Sequence, residues 1–212
     1  KITPSLSINN MLPLPNTKID TLIVTVNYKT SILVTDLIAS LTPDLTSLGH
    51  THMVIVDNAS GDDSVGYLNK YINDNNLDWV TVIATENNAG YAAGNNLAVN
   101  SVLEKNVTFK RVWFLNPDTR VKAGAGAELI KAMNKNDLHI VGSRLEDEDG
   151  TLQCSHFNYP GILSELSFGL RLGIFDKLLT NYLVRTEPSS LPVKSDWLAG
   201  ASFMVSNEYI NK

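Results

Sequence analysis

The strongest constraint on the fold is a rhythm in which short, wholly apolar runs alternate with single longer, mixed segments. TLIVTV (21–26), HMVIVD (52–57), WVTVIAT (79–85) and RVWFLN (111–116) read as strands, with LHIVGSRL (138–145) as a fifth. Between them the spacing predicts a helix over 31–41 closed by Thr42-Pro43, and one opened by Asp62, Asp63 and Ser64. Two more are expected over 91–103 and 122–133. A strand without polar alternation must be covered on both faces, and single helices between such strands make the sheet largely parallel. The expected fold is therefore α/β, a Rossmann-like, mostly parallel central sheet flanked by helices. Right-handed crossovers place every strand-to-helix loop on one edge of that sheet. Open sheets of this kind take their ligands at the carboxyl ends of the strands.

The rest of the chain fits one domain with a leader. Residues 1–17, rich in Pro, Ser and Asn and without periodicity, read as a leader or linker, and 18–212 as the core. No apolar run is long enough to cross a bilayer, and no secretory signal is visible. The single Cys154 cannot form an internal disulfide, which fits a reducing, cytoplasmic setting. The sequons at Asn58 and Asn106 then read as coincidence. A net charge of −5 without a Lys/Arg block argues against nucleic acid as a partner.

Chemistry is expected in NYKTS (27–31), DNASGDDS (57–64), ENNAGYAAGNN (86–96) and NPDTR (116–120), the segments that follow the first four strands. Their Asn, Asp and Gly supply short polar arms and unusual backbone angles, which turns and helix caps also require. Asp57 either offers a carboxylate to the imide N–H of a uracil or thymine ring or closes an Asx turn near Ala59. Pro117 is expected to hold Asn116 extended, so that Asn116 and Asp118 face one ligand together. An amide and a carboxylate oxygen suit a hard cation, magnesium or manganese, that keeps waters and bridges phosphate oxygens. The alternative is a Pro-Asp turn opening the helix at Lys122. Gly90 and Gly94 lie one turn apart and allow close approach of backbone to backbone or to phosphate. The first strand is followed by neither GxGxxG nor a Gly-rich basic loop, and GxxxxGK[ST] is absent; this argues against dinucleotide folds, nucleotidyltransferases and P-loop NTPases.

TLIVTVNYKT, VIVDNASGDDS, ENNAGYAAGNN, VWFLNPDTR, GSRLEDEDGTLQCS and DWLAGASFMVS, in this order over residues 20 to 206, resemble glycosyltransferase family 2. These are inverting enzymes with the GT-A, or nucleotide-diphospho-sugar transferase, fold, and the likeness is to their rhamnosyltransferase-like branch in bacterial surface polysaccharide synthesis. The resemblance implies a dTDP- or UDP-linked sugar donor, with rhamnose a candidate, and a glycan or lipid-linked glycan acceptor. It implies that Asn27 and Tyr28 line the nucleoside pocket beside Asp57 and Asn58, and that Asn88, Gly90, Tyr91, Gly94 and Asn95 lie along the donor cleft. Asp118 would match the last acidic residue of the family's DxD motif and bind a metal–diphosphate. Asn116 takes the first DxD position, a departure expected to weaken metal affinity. Trp197, Gly200 and Ala201 would lie against sugar and acceptor. The family's base motif, an acidic pair, is expected beyond Lys212, with Asp196 the nearest weak candidate; residues 18–212 would then bind donor without turnover. The competing expectation is a non-catalytic nucleotide-sugar-binding module of a larger synthase.

Three further expectations are structural. His50 and His52 should precede the second strand as solvated residues. The acidic run 146–150 should be a hairpin turn. The amphipathic segment 161–184 could lean peripherally on a membrane bearing the acceptor, though packing against the domain's own core is the simpler reading.

Overall fold

The computed structural model describes residues 18–162 and 184–210. The predicted leader, most of segment 161–184 and Lys212 lie outside them. In chain order the elements are β1 (Lys18–Asn27), α1 (Ser31–Leu41), a 3-10 turn (Thr42–Asp44), α2 (Leu45–Leu48), β2 (Thr51–Asp57), α3 (Ser64–Asp74) and β3 (Val80–Ala84). There follow α4 (Tyr91–Leu103), β4 (Thr108–Leu115), α5 (Ala125–Asn136), β5 (Ile140–Gly142), β6 (Leu145–Glu146), β7 (Leu152–Gln153) and β8 (His156–Phe157). After the undescribed stretch come β9 (Trp197–Leu198), β10 (Ser202–Ser206) and α6 (Asn207–Ile210).

Six strands form one mostly parallel sheet in the order β3-β2-β1-β4-β10-β5. β1 pairs in parallel with both β2 and β4, and β2 with β3. Successive side chains of each strand leave by opposite faces, and both faces are buried. Ile23, Met53, Ile55 and Trp113 point into a core shared with α1, α3 and α5. Leu22, Val24, Val54, Val56 and Val112 point into a second core capped by Ala98, Val99 and Val102 of α4. That is why these strands carry no polar alternation.

Strand order steps from β1 outward to β2 and β3, then returns past β1 to β4. The reversal between β1 and β4 is where open α/β sheets receive ligands. Register aligns the ends: Asn27 sits opposite Asp57, Asp57 opposite Ala84, and Val24 opposite Phe114, so the first four strands end along one edge.

The chain divides into two compact units, residues 1–141 with 204–212, and 142–203. In the second unit β6 and β7 form the predicted acidic hairpin, Leu145 opposite Gln153, with Gly150 N–H donating to Asp147 O at 2.9 Å. β8 and β9 pair antiparallel, and the rings of Phe157 and Trp197 stack at 4.1 Å.

Candidate functional site

The ends of β1 and β2 are tied by a buried polar clasp. Asn27 Nδ2 donates to Asp57 Oδ2 at 2.6 Å and to Ser60 Oγ at 3.2 Å. Ser60 Oγ donates to the same Asp57 oxygen at 2.6 Å, while Ser60 N–H donates to Oδ1 at 3.1 Å. Asp57 is 3% exposed, and three of the roughly four acceptor positions a carboxylate offers are filled from its own neighbourhood. The Asx-type turn weighed for it is thus present. Asn27 Oδ1 also accepts the N–H and hydroxyl of Thr30, at 3.1 and 2.9 Å, and so fastens the start of α1.

The clasp holds two left-handed residues in place. Lys29 has φ 58 and Ala59 φ 57, conformations that side chains other than Gly, Asn and Asp seldom adopt. Lys29 N–H donates to Ser60 Oγ at 2.9 Å, so the strain of one loop is held by the other. Tyr28 projects beside it, 47% exposed, with Lys29 Nζ 5.5 Å from its ring centre.

The loop after β3 is bound to the same edge. Asn58, buried, donates to Asn88 Oδ1 at 2.8 Å and accepts Ala89 N–H at 3.2 Å, and Asn88 Oδ1 takes Gly90 N–H at 3.0 Å. Gly90 turns the chain at φ 88 into α4. Gly94 serves packing: a Cβ there would lie 2.8 Å from a Val26 methyl, so only glycine lets α4 settle on the end of β1. Asn95 is buried with its Oδ1 unpartnered, a state that buried acceptors seldom keep without a ligand or water. Partial burial raises the pKa of Tyr91, one turn before it, and a bond to Asn95 pulls the other way.

After β4 the geometry differs from expectation. The strand stops at Leu115, and Thr119 N–H donates to Asn116 O at 3.1 Å, closing Asn116–Thr119 as a turn with Pro117 at its second position. The extended segment expected here is absent, so strand alternation does not align Asn116 with Asp118. The Pro-Asp turn does not open the helix either, because α5 starts at Ala125. Asp118 is exposed and engages none of the described residues through a hydrogen bond or ion pair. Among the described residues no group of three or more His, Cys, Asp or Glu could hold a metal. Asn116 and Asp118 bring one amide and one carboxylate, too few ligands for a site built from protein alone; an ion there would need water and phosphate for the rest.

In the second unit, Trp197 is exposed on one side of its stack with Phe157, and its Nε1 donates to Asn158 O at 3.2 Å. Gly200 is exposed and Ala201 half-buried in the turn between β9 and β10. Asp196 is exposed, and its Oδ2 accepts Tyr159 N–H at 2.8 Å.

The expectation of a solvated His52 is corrected. It lies within β2, 1% exposed, its Nε2 3.0 Å from Thr81 Oγ1, and burial lowers its pKa to about 4. Sequence reasoning also missed Ser60, the hub of the clasp, whose only signal was its place three residues after Asp57.

The profile of glycosyl transferase family 2 matches residues 22–207. No curated protein matches the sequence. Among solved structures, the mannosyltransferase PcManGT from Pyrobaculum calidifontis, in complex with GDP-Man and Mn2+, superposes with a TM-score of 0.56 at 14% identity, over 95% of this chain and 48% of that one. TarS 1–349 of S. aureus in complex with UDP-GlcNAc gives 0.52 at 19% identity, over 66% of this chain and 39% of that one. This chain spans less than half the length of either. Its α/β architecture is that of GT-A-like proteins. With the family profile covering most of its length, the chain belongs to glycosyl transferase family 2.

Proposed function

We propose that this chain is the donor-binding core, over residues 18–212, of a cytoplasmic glycosyltransferase. It would transfer a sugar from a dTDP- or UDP-linked donor, rhamnose being one candidate, to a growing glycan of the bacterial surface with inversion, as in the rhamnosyltransferase-like branch. The observation that carries the reading is the contrast at the sheet edge: a buried polar clasp across β1 and β2, and an exposed carboxylate at Asp118, engaged by none of the described residues, on the other side of β1.

On this reading the clasp keeps the loops of Tyr28 and Asn58 fixed before the donor arrives, so little ordering entropy is lost on binding. Tyr28 offers an exposed ring to a base, and Asp57 acts from beneath, through the Asn27 and Ser60 loops that it holds. Asn95 offers its unpartnered oxygen to the donor. Asp118 and Asn116 would hold a magnesium or manganese ion, which neutralises charge on the diphosphate when bound. Asp196, exposed and engaged at Oδ2 by Tyr159 N–H, is the weak candidate for the base. A general base contributes about a hundred- to ten-thousand-fold in rate; binding and turnover are therefore separable.

Calorimetry with UDP and dTDP, with and without manganese, tests the proposal. The wild-type chain is expected to bind more tightly with the metal, and D118N to lose about ten- to a hundred-fold of that metal-dependent affinity. Absence of binding by the wild-type chain in every condition overturns it. Donor binding without transfer or hydrolysis by the complete protein favours the second reading, a nucleotide-sugar-binding module.

A further inference from the structure

The segment that carries Asp118 runs into a helix lacking a cap of its own. The residue before α5 is Gly124, left-handed at φ 86, with no side chain to offer to the first turn. The orphan amides are met from 80 residues upstream. Asp44, which ends the 3-10 turn and is 2% exposed, accepts Gly124 N–H at Oδ1 and Gly126 N–H at Oδ2, the latter at 2.8 Å. Two donors and the positive end of a helix stabilise the buried carboxylate. A Cβ on Gly126 would lie 2.6 Å from Leu48 and 3.1 Å from Trp113, so the helix start is pressed against the core as well as tied to Asp44. Two more bonds fasten the same segment to α1: Ser40 Oγ accepts Val121 N–H at 3.0 Å, and Arg120 donates to Asp36 at 2.8 Å.

We infer that Asp44 is a positioning residue, fixing loop 116–124 and with it the point where Asp118 presents its carboxylate. The inference rests on the reading of Asp118 given above. An asparagine at 44 has the same shape but one acceptor oxygen, and its amide group would face a backbone N–H, donor against donor. D44N therefore breaks one anchor bond without emptying the site. Ser40→Ala cuts a separate bond of the same anchor. Asp20→Asn is the matched control: at the opposite edge of the sheet, Asp20 accepts His50 N–H at 2.9 Å and pairs with Lys110 at 2.6 Å.

The test combines amide hydrogen exchange with calorimetry, using UDP with and without manganese on the full chain. D44N should exchange the Thr119, Val121, Gly124 and Gly126 amides roughly tenfold faster and lose several-fold of the manganese-dependent gain in UDP affinity. S40A should move both readouts the same way by less, and D20N should move neither. Unchanged exchange at Val121 and Gly124 in D44N overturns the anchor whatever the nucleotide does, and so does a full manganese gain retained by folded D44N. A wild-type chain with no manganese gain overturns instead the reading of Asp118.

Discussion

Asp57 and Asp118 stand at the ends of the two strands that flank β1, and the fold uses them in opposite ways. The first is sealed beneath its loop, three bonds deep, holding Asn27 and Ser60 in register. The second lies in the open beyond a Pro turn, its carboxylate engaged by none of the described residues. A buried carboxylate with local donors is architecture, because removing it leaves those donors stranded. An exposed one that the fold does not use costs nothing to keep and is available to a ligand.

The largest effect that could break this contrast is in stability. Asp57→Ala would leave the Asn27 amide, the Ser60 hydroxyl and the Ser60 N–H without an acceptor in a dry site. Each stranded group costs about 1–3 kcal/mol, so a loss of about 3–5 kcal/mol is expected in urea unfolding. A loss below about 1 kcal/mol would mean that the clasp is decoration. Asp57→Asn should fall between, since the amide keeps one oxygen for the Asn27 and Ser60 donors.

A second sealed polar group sharpens the point through pH. The folded chain holds His52 neutral with a pKa of about 4, against 6.5 for the free side chain. The unfolded state therefore takes up the proton first. Stability is undiminished above about pH 6.5, then falls as pH drops towards 4, by up to about 3 kcal/mol. Urea midpoints at pH 7, 5 and 4 should show this decline in the wild type and a shallower one in His52→Val. Equal slopes would mean that the ring reaches solvent in the native state.

Gly94 tests the fit of the edge without charge. An alanine there would put its Cβ 2.8 and 3.0 Å from the two Val26 methyls, and overpacking of that kind costs about 1–3 kcal/mol. The double variant G94A/V26A should recover part of the loss, because Val26→Ala opens the space that the new methyl needs. Additive losses would show that α4 is displaced for another reason.

These cases also mark what the sequence makes legible. Strands buried on both faces write their burial directly into unbroken apolar runs, and α1 and α4 were expected at the bounds observed, 31–41 and 91–103. Signals spread over distance were not legible. The helix expected from Lys122 begins at Ala125 because Gly124 is left-handed and its cap comes from Asp44, which local pattern cannot reveal. LHIVGSRL reads as one strand yet splits into β5 and β6 on either side of Ser143 and Arg144. His52 reads as a polar residue before a strand, and only the pairing of β2 with β3 brings it the Thr81 partner that makes burial tolerable. At the site, an Asx turn of Asp57 near Ala59 is a local feature open to sequence reading, whereas the bond of Asn27 to Asp57 on the neighbouring strand depends on register.

The smallest expected effect bears hardest on the comparison. Asp118→Ala removes a side chain that is exposed, bonds to none of the described residues and caps no helix, so its unfolding free energy should change by less than about 0.5 kcal/mol. The turn it belongs to closes through Asn116 O and Thr119 N–H, main-chain groups that the substitution leaves in place. Its manganese-dependent affinity for UDP, by contrast, should fall steeply. A variant that unfolds more easily by as much as Asp57→Ala would mean that Asp118 is also structural, and the division between a carboxylate that builds the edge and one that works there would be lost.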